Sequence, residues 1–312
     1  MILISASLIA GLVLLAVGAE ALVGGAVAIA RRFNMSPLLI GITIVGFGTS
    51  LPELIVSVEA AFKGSPDIAI GNVVGSNIAN VLLIGGVAAV IAPVAARFLD
   101  YRRDLIVMVA ASVLLLGLGY WGGVSRLAGL LMVAALVSYL YYTARKSRVA
   151  DGELVEAIEV PAWRRPLPVA IGLVILGLIG LFGGARLLVS AAIDISRMIG
   201  LSEAVIGLTV VAVGTSLPEL ATSVAAALRK HTDVALGNIV GSNIFNVLGI
   251  LGVASMIKPI AISPGIASVD IPFMIGTLLL LAGLIAFRAG ISRVAGGALL
   301  AAYAGYVVLL LA

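Results

Sequence analysis

Residues 41–53 read GITIVGFGTSLPE, and residues 207–219 read GLTVVAVGTSLPE. A second pair follows at the same offset of 166 residues, with AIGNVVGSNIANVLLIGG at 69–86 and ALGNIVGSNIFNVLGILG at 235–252. Nine of 13 positions are identical in the first pair and 13 of 18 in the second. The chain is therefore an internal duplication, and each half carries one copy of a motif that combines glycine, proline, serine, asparagine and glutamate.

The composition places most of the chain in a lipid bilayer. Of 312 residues, 62% are hydrophobic and 11% are charged, whereas soluble domains have about 25% charged residues. The mean hydropathy is +1.25. Cysteine is absent, and the single histidine, His231, lies in a polar stretch, so disulfides and soft-metal sites are not expected. The basic residues lie in loops, and we expect neither a nucleic-acid partner nor an obligatory protein partner.

Ten apolar stretches are long enough to span a bilayer, which requires about 20 helical residues. They lie at 4–30, 37–61, 68–95, 104–121, 125–143, 168–196, 203–227, 234–257, 268–287 and 292–311. The sequence thus predicts an all-α membrane protein with ten transmembrane helices. The predicted parts are a first five-helix repeat at 1–143, a cytoplasmic linker at 144–166 and a second repeat at 167–312, with the duplicated motifs at 41–86 and 207–252.

The distribution of positive charge predicts the orientation of these helices. Of the 19 lysines and arginines, 14 lie in loops on one side and five elsewhere, and the richer side is predicted to be cytoplasmic. Both termini are then extracellular in a multi-pass protein of the cell membrane. Because each half has five helices, the second half starts on the opposite side from the first. The two halves are therefore predicted to be inverted repeats.

Two glutamates in the duplicated motif are the strongest candidates for a functional site. Glu53 and Glu219 lie near the middle of predicted spans, where an unpartnered carboxylate costs several kcal/mol. The same motifs contain no lysine or arginine, so the simplest partner is a bound cation or a proton. Pro52 and Pro218 precede the glutamates and disturb the helix, which frees carbonyl oxygens that can line a polar cavity.

The motifs also supply neutral oxygen atoms on the same helical faces. Ser50 and Ser216 lie three residues before the glutamates. Two further pairs are spaced i, i+4, namely Ser76 with Asn80 and Ser242 with Asn246. Oxygen-only sites suit hard cations such as Ca²⁺, which takes about 6–8 oxygen ligands. Two glutamates neutralise one Ca²⁺ or two Na⁺, so one cluster can serve either ion.

These residues give the chain a family resemblance. The paired GTSLPE and GNxxGSNIxN segments resemble the two alpha-repeats of the sodium/calcium exchangers, in the compact prokaryotic form of the cation/calcium antiporter superfamily. The resemblance covers the whole chain and implies central ion ligands from Glu53, Glu219, Asn80 and Asn246. It also implies backbone carbonyl ligands from Gly46, Thr49, Ala212 and Thr215, and hydroxyl ligands from Ser50, Ser76, Ser216 and Ser242. Some relatives have an aspartate at the position of Asn246.

The implied function is secondary active antiport of Na⁺ against Ca²⁺ by alternating access, with helices 1 and 6 sliding across a core of helices 2, 3, 7 and 8. The first alternative is an antiporter of Ca²⁺ or another cation against H⁺ on the same fold. A cation channel is a second alternative, and an intramembrane hydrolase that uses two carboxylates is a third. We expect neither an enzyme nor a resident cofactor, and the interacting species are the ions and the lipid bilayer.

Other polar residues of the membrane segments are interpreted as structural. Asn72, Asn77, Asn238 and Asn243 are expected to be helix caps or helix–helix contacts. Glu20 and Arg186 are equivalent in the two halves and are expected to pair or to reach an interface. The stretch ARFLDYRRD at 96–104 is interpreted as a break between spans.

Overall fold

The protein forms a bundle of membrane-length helices. The computed structural model describes residues 2–33, 35–147, 166–198 and 212–311. Within these residues, eight helices are long and apolar enough to cross a bilayer, and a bent helix pair adds a further candidate span. This confirms a mostly helical, multi-span membrane protein. Most of the predicted linker at 144–166 and the start of the predicted span at 203–227 lie outside the described residues.

The helices of the first half agree with the predicted spans to within a few residues, with one exception described below. In chain order they are α1 (Ile2–Arg32), α2 (Pro37–Ile40), α3 (Gly46–Thr49), α4 (Leu51–Lys63), α5 (Pro66–Ala79), α6 (Gly85–Ile91), α7 (Phe98–Tyr120) and α8 (Arg126–Ser147). Two π-helical segments, Gly41–Val45 and Asn80–Ile84, join α2 to α3 and α5 to α6.

The described helices of the second half follow the same order. They are α9 (Leu167–Met198), α10 (Ala212–Thr215), α11 (Leu217–Leu228), α12 (Thr232–Ile244), α13 (Gly252–Ile257), α14 (Ile271–Arg288) and α15 (Arg293–Leu311). The π-helical segment Phe245–Leu251 joins α12 to α13, and a second one, Ile266–Asp270, precedes α14.

The predicted break at 96–104 is wrong for most of its length. Helix α7 begins at Phe98, and only the residues before it lie outside the helix. Asp104 is therefore in the second turn of α7, where it is fully buried and accepts a hydrogen bond from the Tyr139 hydroxyl at 2.8 Å. Arg103 also donates to its carboxylate at 2.9 Å. Tyr139 on α8 and the neighbouring Arg103 thus partner one carboxylate oxygen of Asp104, which lets the helix continue through this residue.

Two short antiparallel ladders join the halves of the chain. Strand β1 (Val94–Ala95) pairs with β4 (Gly290–Ile291), and β2 (Gly123–Val124) pairs with β3 (Ile260–Ala261). Adding 166 to Val94 gives Ile260, so β1 and β3 are equivalent strands that each pair with a strand of the other half. The contacts between the halves are thus made twice, in reciprocal form.

Helices α1 and α9 pack along most of their length through small residues. A Cβ atom on Gly11 would lie 3.0 Å from the Gly184 carbonyl oxygen, and one on Gly18 would lie 2.9 Å from that of Gly177. One on Gly25 would lie 2.7 Å from the carbonyl oxygen of Ala170. The contact positions rise along α1 as they fall along α9, so the two helices are antiparallel. Glycine every seventh residue lets the two backbones touch.

Alanine at Gly18 tests this backbone contact. We expect Gly18→Ala to lower the thermal stability of the detergent-purified protein, because the added methyl group meets the α9 backbone and overpacking costs about 1–3 kcal/mol. The matched control is Gly305→Ala on α15, where an added Cβ meets no atom within 4 Å. Alanine favours helix by up to about 1 kcal/mol at both positions, so the control should be neutral or more stable. Equal melting temperatures for the two variants would contradict the close packing of α1 and α9.

Candidate ion-binding site

The duplicated GTSLPE motifs form two helix breaks. Ser50 separates α3 from α4, and its backbone angles of φ −82° and ψ 8° are not helical. Ser216 separates α10 from α11 with nearly the same angles, φ −88° and ψ 7°. The helices on either side of Ser50 are bent by 46°. Each break starts a new helix whose second residue is proline, as expected for a residue that lacks an N–H group.

The breaks give both glutamates a helix N-terminus. Glu53 and Glu219 lie in the first turns of α4 and α11, and each is only 1% exposed. A carboxylate in the first turn is stabilised by the partial positive charge of the free N–H groups. The break therefore stabilises a negative charge partway along the span, where a continuous helix has no free N–H groups.

The two motifs meet through crossed hydrogen bonds. The Ser50 hydroxyl donates to Oε1 of Glu219 at 3.0 Å, and the Ser216 hydroxyl donates to Oε1 of Glu53 at 3.3 Å. Neither serine caps the helix that follows it, although both occupy the cap position. Each hydroxyl instead binds the carboxylate of the opposite half. The structure thus brings together the two glutamates that the sequence places 166 residues apart.

Further predicted ligands lie around this pair. The Ser216 and Ser76 hydroxyl oxygens are 3.5 Å apart, and the Ser242 hydroxyl donates to the Gly46 carbonyl oxygen at 3.4 Å. Thr49 is fully buried, and its hydroxyl donates to the Val45 carbonyl oxygen at 3.0 Å. The side-chain hydroxyl of Thr49 is thus occupied within the protein, and the ligand role of its carbonyl oxygen stays a prediction.

Backbone packing makes these approaches possible. A Cβ atom on Gly237 would lie 2.8 Å from the Leu38 carbonyl oxygen, and one on Gly41 would lie 2.7 Å from that of Val234. Glycine at both positions lets the first-half broken helix lie directly against α12, which carries Ser242. Ala212 and Thr215 lie at the two ends of α10, immediately before the Ser216 break. The ligand roles of their carbonyl oxygens stay predictions.

Among the described residues, six acidic or amide side chains retain a buried oxygen atom without a hydrogen-bond partner; two are Asp104 and Asn243, and the other four are predicted central ion ligands. The unpartnered atoms of these four are Oε2 of Glu53, Oε2 of Glu219, Oδ1 of Asn246 and Oδ1 of Asn80, whose amide nitrogen is also unpartnered. Buried polar atoms normally have partners, because leaving them bare costs about 1–3 kcal/mol each. Asn80 begins one π-helical segment and Asn246 is the second residue of another. Such π-helical insertions occur frequently at functional sites.

The donor set is made only of oxygen. Among the described residues, no group of three or more His, Cys, Asp or Glu side chains is placed to hold a metal ion. The two carboxylates are complemented by amides, hydroxyls and carbonyls, which are the ligands of Ca²⁺ and other hard cations. The residues present therefore fit a hard cation and do not fit a softer metal.

Two asparagines, Asn72 and Asn238, form hydrogen bonds with the helices that follow the breaks. The Asn72 amide donates to the Glu53 carbonyl oxygen at 3.1 Å and to the Ser57 hydroxyl at 2.9 Å. Asn238 donates in the same way to the Glu219 carbonyl oxygen at 3.3 Å and to the Ser223 hydroxyl at 2.9 Å. These bonds confirm the expected helix–helix contacts. Ser57 and Ser223 were missed in the sequence, although their equivalent spacing of four residues after the glutamates could have identified them.

Two ion pairs lie at the surface outside the motif. Glu20 on α1 pairs with Arg229, whose Nε donates to the carboxylate at 2.9 Å. Of the two roles expected for Glu20 and Arg186, pairing with each other is wrong, because Arg229 at the end of α11 pairs with Glu20, and an interface position stays a prediction. Glu59 and Lys63 form an exposed i, i+4 ion pair on α4.

A helical membrane protein with two carboxylates buried between broken helices is typical of ion transporters. The family model of the sodium/calcium exchanger protein matches residues 3–145 and 169–312. The chain belongs to the sodium/calcium exchanger family, which places it among the cation/calcium antiporters and thus among transporters.

Relatives and solved structures cover nearly the whole chain. The sodium/calcium exchanger MaX1 of Methanosarcina acetivorans is 31% identical over 97% of both chains. The inner membrane protein YrbG of Escherichia coli (strain K12) is 38% identical over 88% of this chain and 86% of its own length. The structure of the sodium-calcium exchanger NCX_Mj soaked with zero Na⁺ and Ca²⁺ is 34% identical, with a TM-score of 0.86 over 99% of both chains.

Alanine at the two equivalent asparagines tests their structural role. We expect Asn238→Ala to destabilise the detergent-purified protein more than Asn72→Ala in thermal unfolding. Asn238 is 1% exposed, whereas Asn72 is half-buried, so the bonds of Asn238 are removed from a more enclosed site. Loss of buried partners costs about 1–3 kcal/mol per group left unsatisfied. A larger loss at Asn72 than at Asn238 would contradict this ranking.

Proposed function

We propose that the protein is a secondary active antiporter that exchanges Na⁺ for Ca²⁺ across the cell membrane. The observation that carries the proposal is the pair of buried glutamates, Glu53 and Glu219, each with one bonded and one unpartnered carboxylate oxygen. Their two negative charges balance one Ca²⁺ or two Na⁺. Binding of one Ca²⁺ or two Na⁺ neutralises these charges, which in the empty site raise the free energy of the protein in the membrane.

The proposed ligands have distinct roles. The carboxylates of Glu53 and Glu219 and the amide oxygens of Asn80 and Asn246 hold the central divalent ion. Flanking Na⁺ ions use hydroxyl and carbonyl oxygens, supplied by Ser50, Ser76, Ser216, Ser242, Gly46, Thr49, Ala212 and Thr215. Sodium accepts neutral oxygen ligands readily because its charge is small, so two or more ions can share the same cluster.

The proposed architecture is ten transmembrane helices in two inverted five-helix repeats. Three reciprocal features support it: the pairing of β1 with β4 and of β3 with β2, the crossed serine–glutamate bonds, and the parallel roles of Asn72 and Asn238. The halves begin on opposite sides, with both termini extracellular and the linker at 144–166 cytoplasmic.

Alternating access is proposed to occur by sliding of the α1/α9 pair across the other helices. An asymmetry of the structure supports this motion. Helix α1 packs against α11 and carries the Glu20–Arg229 pair, whereas the described residues of the equivalent helices α9 and α4 make no comparable packing. Two inverted halves that differ in this way fit a state in which one side of the site is covered and the other is not.

The nearest rival is exchange of Ca²⁺ or another cation against H⁺ on the same fold, because a carboxylate pair can also carry protons. The resemblance of the motifs favours Na⁺, and MaX1 of Methanosarcina acetivorans is named a sodium/calcium exchanger. A channel and a hydrolase are less well supported, since the family is one of exchangers.

Glutamine at each buried glutamate tests the site. We expect Glu53→Gln and Glu219→Gln each to reduce gradient-driven ⁴⁵Ca²⁺ uptake into proteoliposomes by at least about 100-fold, because each removes half of the charge that balances Ca²⁺. Glu59→Gln is the matched control on the same helix, since Glu59 is exposed and pairs only with Lys63. Uptake by Glu53→Gln or Glu219→Gln at the level of the control would overturn the site assignment.

The driving ion is tested by loading the vesicles with Na⁺, K⁺ or a proton gradient at matched osmolarity. We expect ⁴⁵Ca²⁺ uptake to require internal Na⁺, and internal Ca²⁺ to drive counterflow. Uptake that follows the proton gradient and ignores Na⁺ would support the rival antiporter instead. Uptake that persists without any gradient of exchanged ion and does not saturate would support a channel.

Disulfide crosslinking tests the sliding motion, and the chain offers a background without cysteine. By the offset of 166, Glu20 is equivalent to Arg186 and Arg229 to Lys63. We expect a Glu20→Cys/Arg229→Cys pair to crosslink in one state and an Arg186→Cys/Lys63→Cys pair only in the opposite state. Either crosslink should stop ⁴⁵Ca²⁺ uptake, and reduction should restore it. Normal uptake with both disulfides formed would contradict the proposed motion.

A further inference from the structure

Asn77 and Asn243 are two buried asparagines to which neither the family motif nor the site described above assigns an ion. They are equivalent in the two halves, follow Ser76 and Ser242 directly, and are 0% and 1% exposed. Their side chains have different partners. This difference bears on Asn246, one of the proposed central ligands.

A chain of hydrogen bonds fixes the orientation of the Asn77 side chain. Its Nδ2 donates to the backbone carbonyl oxygen of Asn243 at 3.3 Å. Because a carbonyl oxygen only accepts, the nitrogen of Asn77 must face Asn243 and its Oδ1 must point the other way. The Asn243 carbonyl oxygen, which can only accept, therefore distinguishes the nitrogen of the Asn77 amide from its oxygen.

The same chain fixes the Asn246 side chain. Oδ1 of Asn77 accepts a hydrogen bond from Nδ2 of Asn246 at 3.0 Å. The nitrogen of Asn246 is thereby held by Asn77, and its Oδ1 is left on the opposite edge of the amide, buried and without a protein partner. The π-helical segment that carries Asn246 packs against α4, the helix of Glu53.

The equivalent residues Asn243 and Asn80 lack this arrangement. Asn243 donates to the Ile239 carbonyl oxygen of its own helix at 2.7 Å. Neither amide atom of Asn80 has a hydrogen-bond partner. The orientation of the amide is therefore imposed at Asn246 and is left free at Asn80, although the two residues are equivalent in sequence.

We propose that Asn77 is a positioning residue that holds the Asn246 amide with its oxygen toward the transported cation and that favours a neutral side chain at this position. The proposal rests on the proposed function, because it concerns the same ion site. An ionised aspartate at 246 would present a carboxylate oxygen to Oδ1 of Asn77, which places two acceptors face to face, whereas a protonated aspartate would donate its O–H group to the same atom. Asn77 cannot turn over, since its own oxygen would then face the Asn243 carbonyl oxygen.

The consequence is a fixed charge at the site. With a neutral amide enforced at 246, the central carboxylates are Glu53 and Glu219 alone, and the site carries two negative charges when both are ionised. One Ca²⁺ then leaves the loaded site neutral, which favours its movement through the membrane core. Asn77 thus links the neutral side chain at 246 to the number of positive charges that the site binds.

Removal of the Asn77 side chain gives the first test. We expect Asn77→Ala to raise the KM for Ca²⁺ in ⁴⁵Ca²⁺ uptake by about ten-fold or more, the usual effect of losing a residue that orients a metal ligand. The maximal rate should stay within about two-fold of wild type. Asn243→Ala is the matched control, being equally buried but without a bond to a ligand side chain, and its KM should change less than about two-fold.

A double-mutant cycle separates positioning from packing. If Asn77 acts through Asn246, then Asn77→Ala should cause no further rise in KM in an Asn246→Ala background. In an Asn246→Asp background its effect should reverse, because removal of Oδ1 relieves the repulsion of the carboxylate, and KM should fall. An Asn77 that merely fills space would raise KM equally in all three backgrounds, and that result would overturn the proposal.

Folding and function are controlled separately. Each variant is examined by gel filtration and by the Ca²⁺-dependent shift of its melting temperature, and Asn77→Ser, with the same expectation, replaces any Asn77→Ala variant that does not fold. If the wild-type protein transports Ca²⁺ and Asn77→Ala retains its KM, the positioning role is wrong and the antiporter stands. If the wild-type protein shows no Ca²⁺ exchange under any gradient, the proposed function itself is wrong.

Discussion

Two carboxylates share one small buried space in the membrane interior, and the rest of the structure follows from the cost of placing them there. A charge at this depth costs several kcal/mol unless something compensates it, and two like charges cost more. Glu53 and Glu219 are compensated in part by the helix N-termini on which they lie and by one serine hydroxyl each. One oxygen of each carboxylate still has no protein partner, which is the position a cation is proposed to take.

The surrounding helix breaks, glycines and serines supply the partners that the two carboxylates need. Breaks at Ser50 and Ser216 create the two helix N-termini, and glycines such as Gly41 and Gly237 bring the broken helix of the first half directly against α12. The serines at the breaks bind the opposite carboxylate rather than their own helices, so each half completes the site of the other. Both halves are therefore needed to complete the crossed bonds, because the hydroxyl donor of each carboxylate lies in the other half.

The sequence predicted the helical membrane fold and most span limits, because apolar length and charged breaks report directly on burial in lipid. It also predicted the meeting of the two motifs, because both copies carry a glutamate that needs a partner near the middle of a predicted span. It did not predict the crossed serine bonds, since Ser50 and Ser216 have the sequence of ordinary helix caps. It missed the start of α7 at Phe98, because a buried Asp104 bonded to Tyr139 resembles a loop charge until α8 is placed beside it. The sequence also did not predict the π-helical segments that carry Asn80 and Asn246, since hydrophobic periodicity does not detect one added residue in a helical turn.

The proposed ion site is tested most directly by anomalous diffraction from crystals soaked in Sr²⁺, an electron-rich substitute for Ca²⁺. We expect one dominant peak between the two helix breaks, within about 2.3–2.8 Å of Oε2 of Glu53, Oε2 of Glu219 and the amide oxygens of Asn80 and Asn246. The peak should weaken as Na⁺ is raised. A Sr²⁺ peak elsewhere in the membrane region, with the two carboxylates bonded only to protein, would contradict the proposed site.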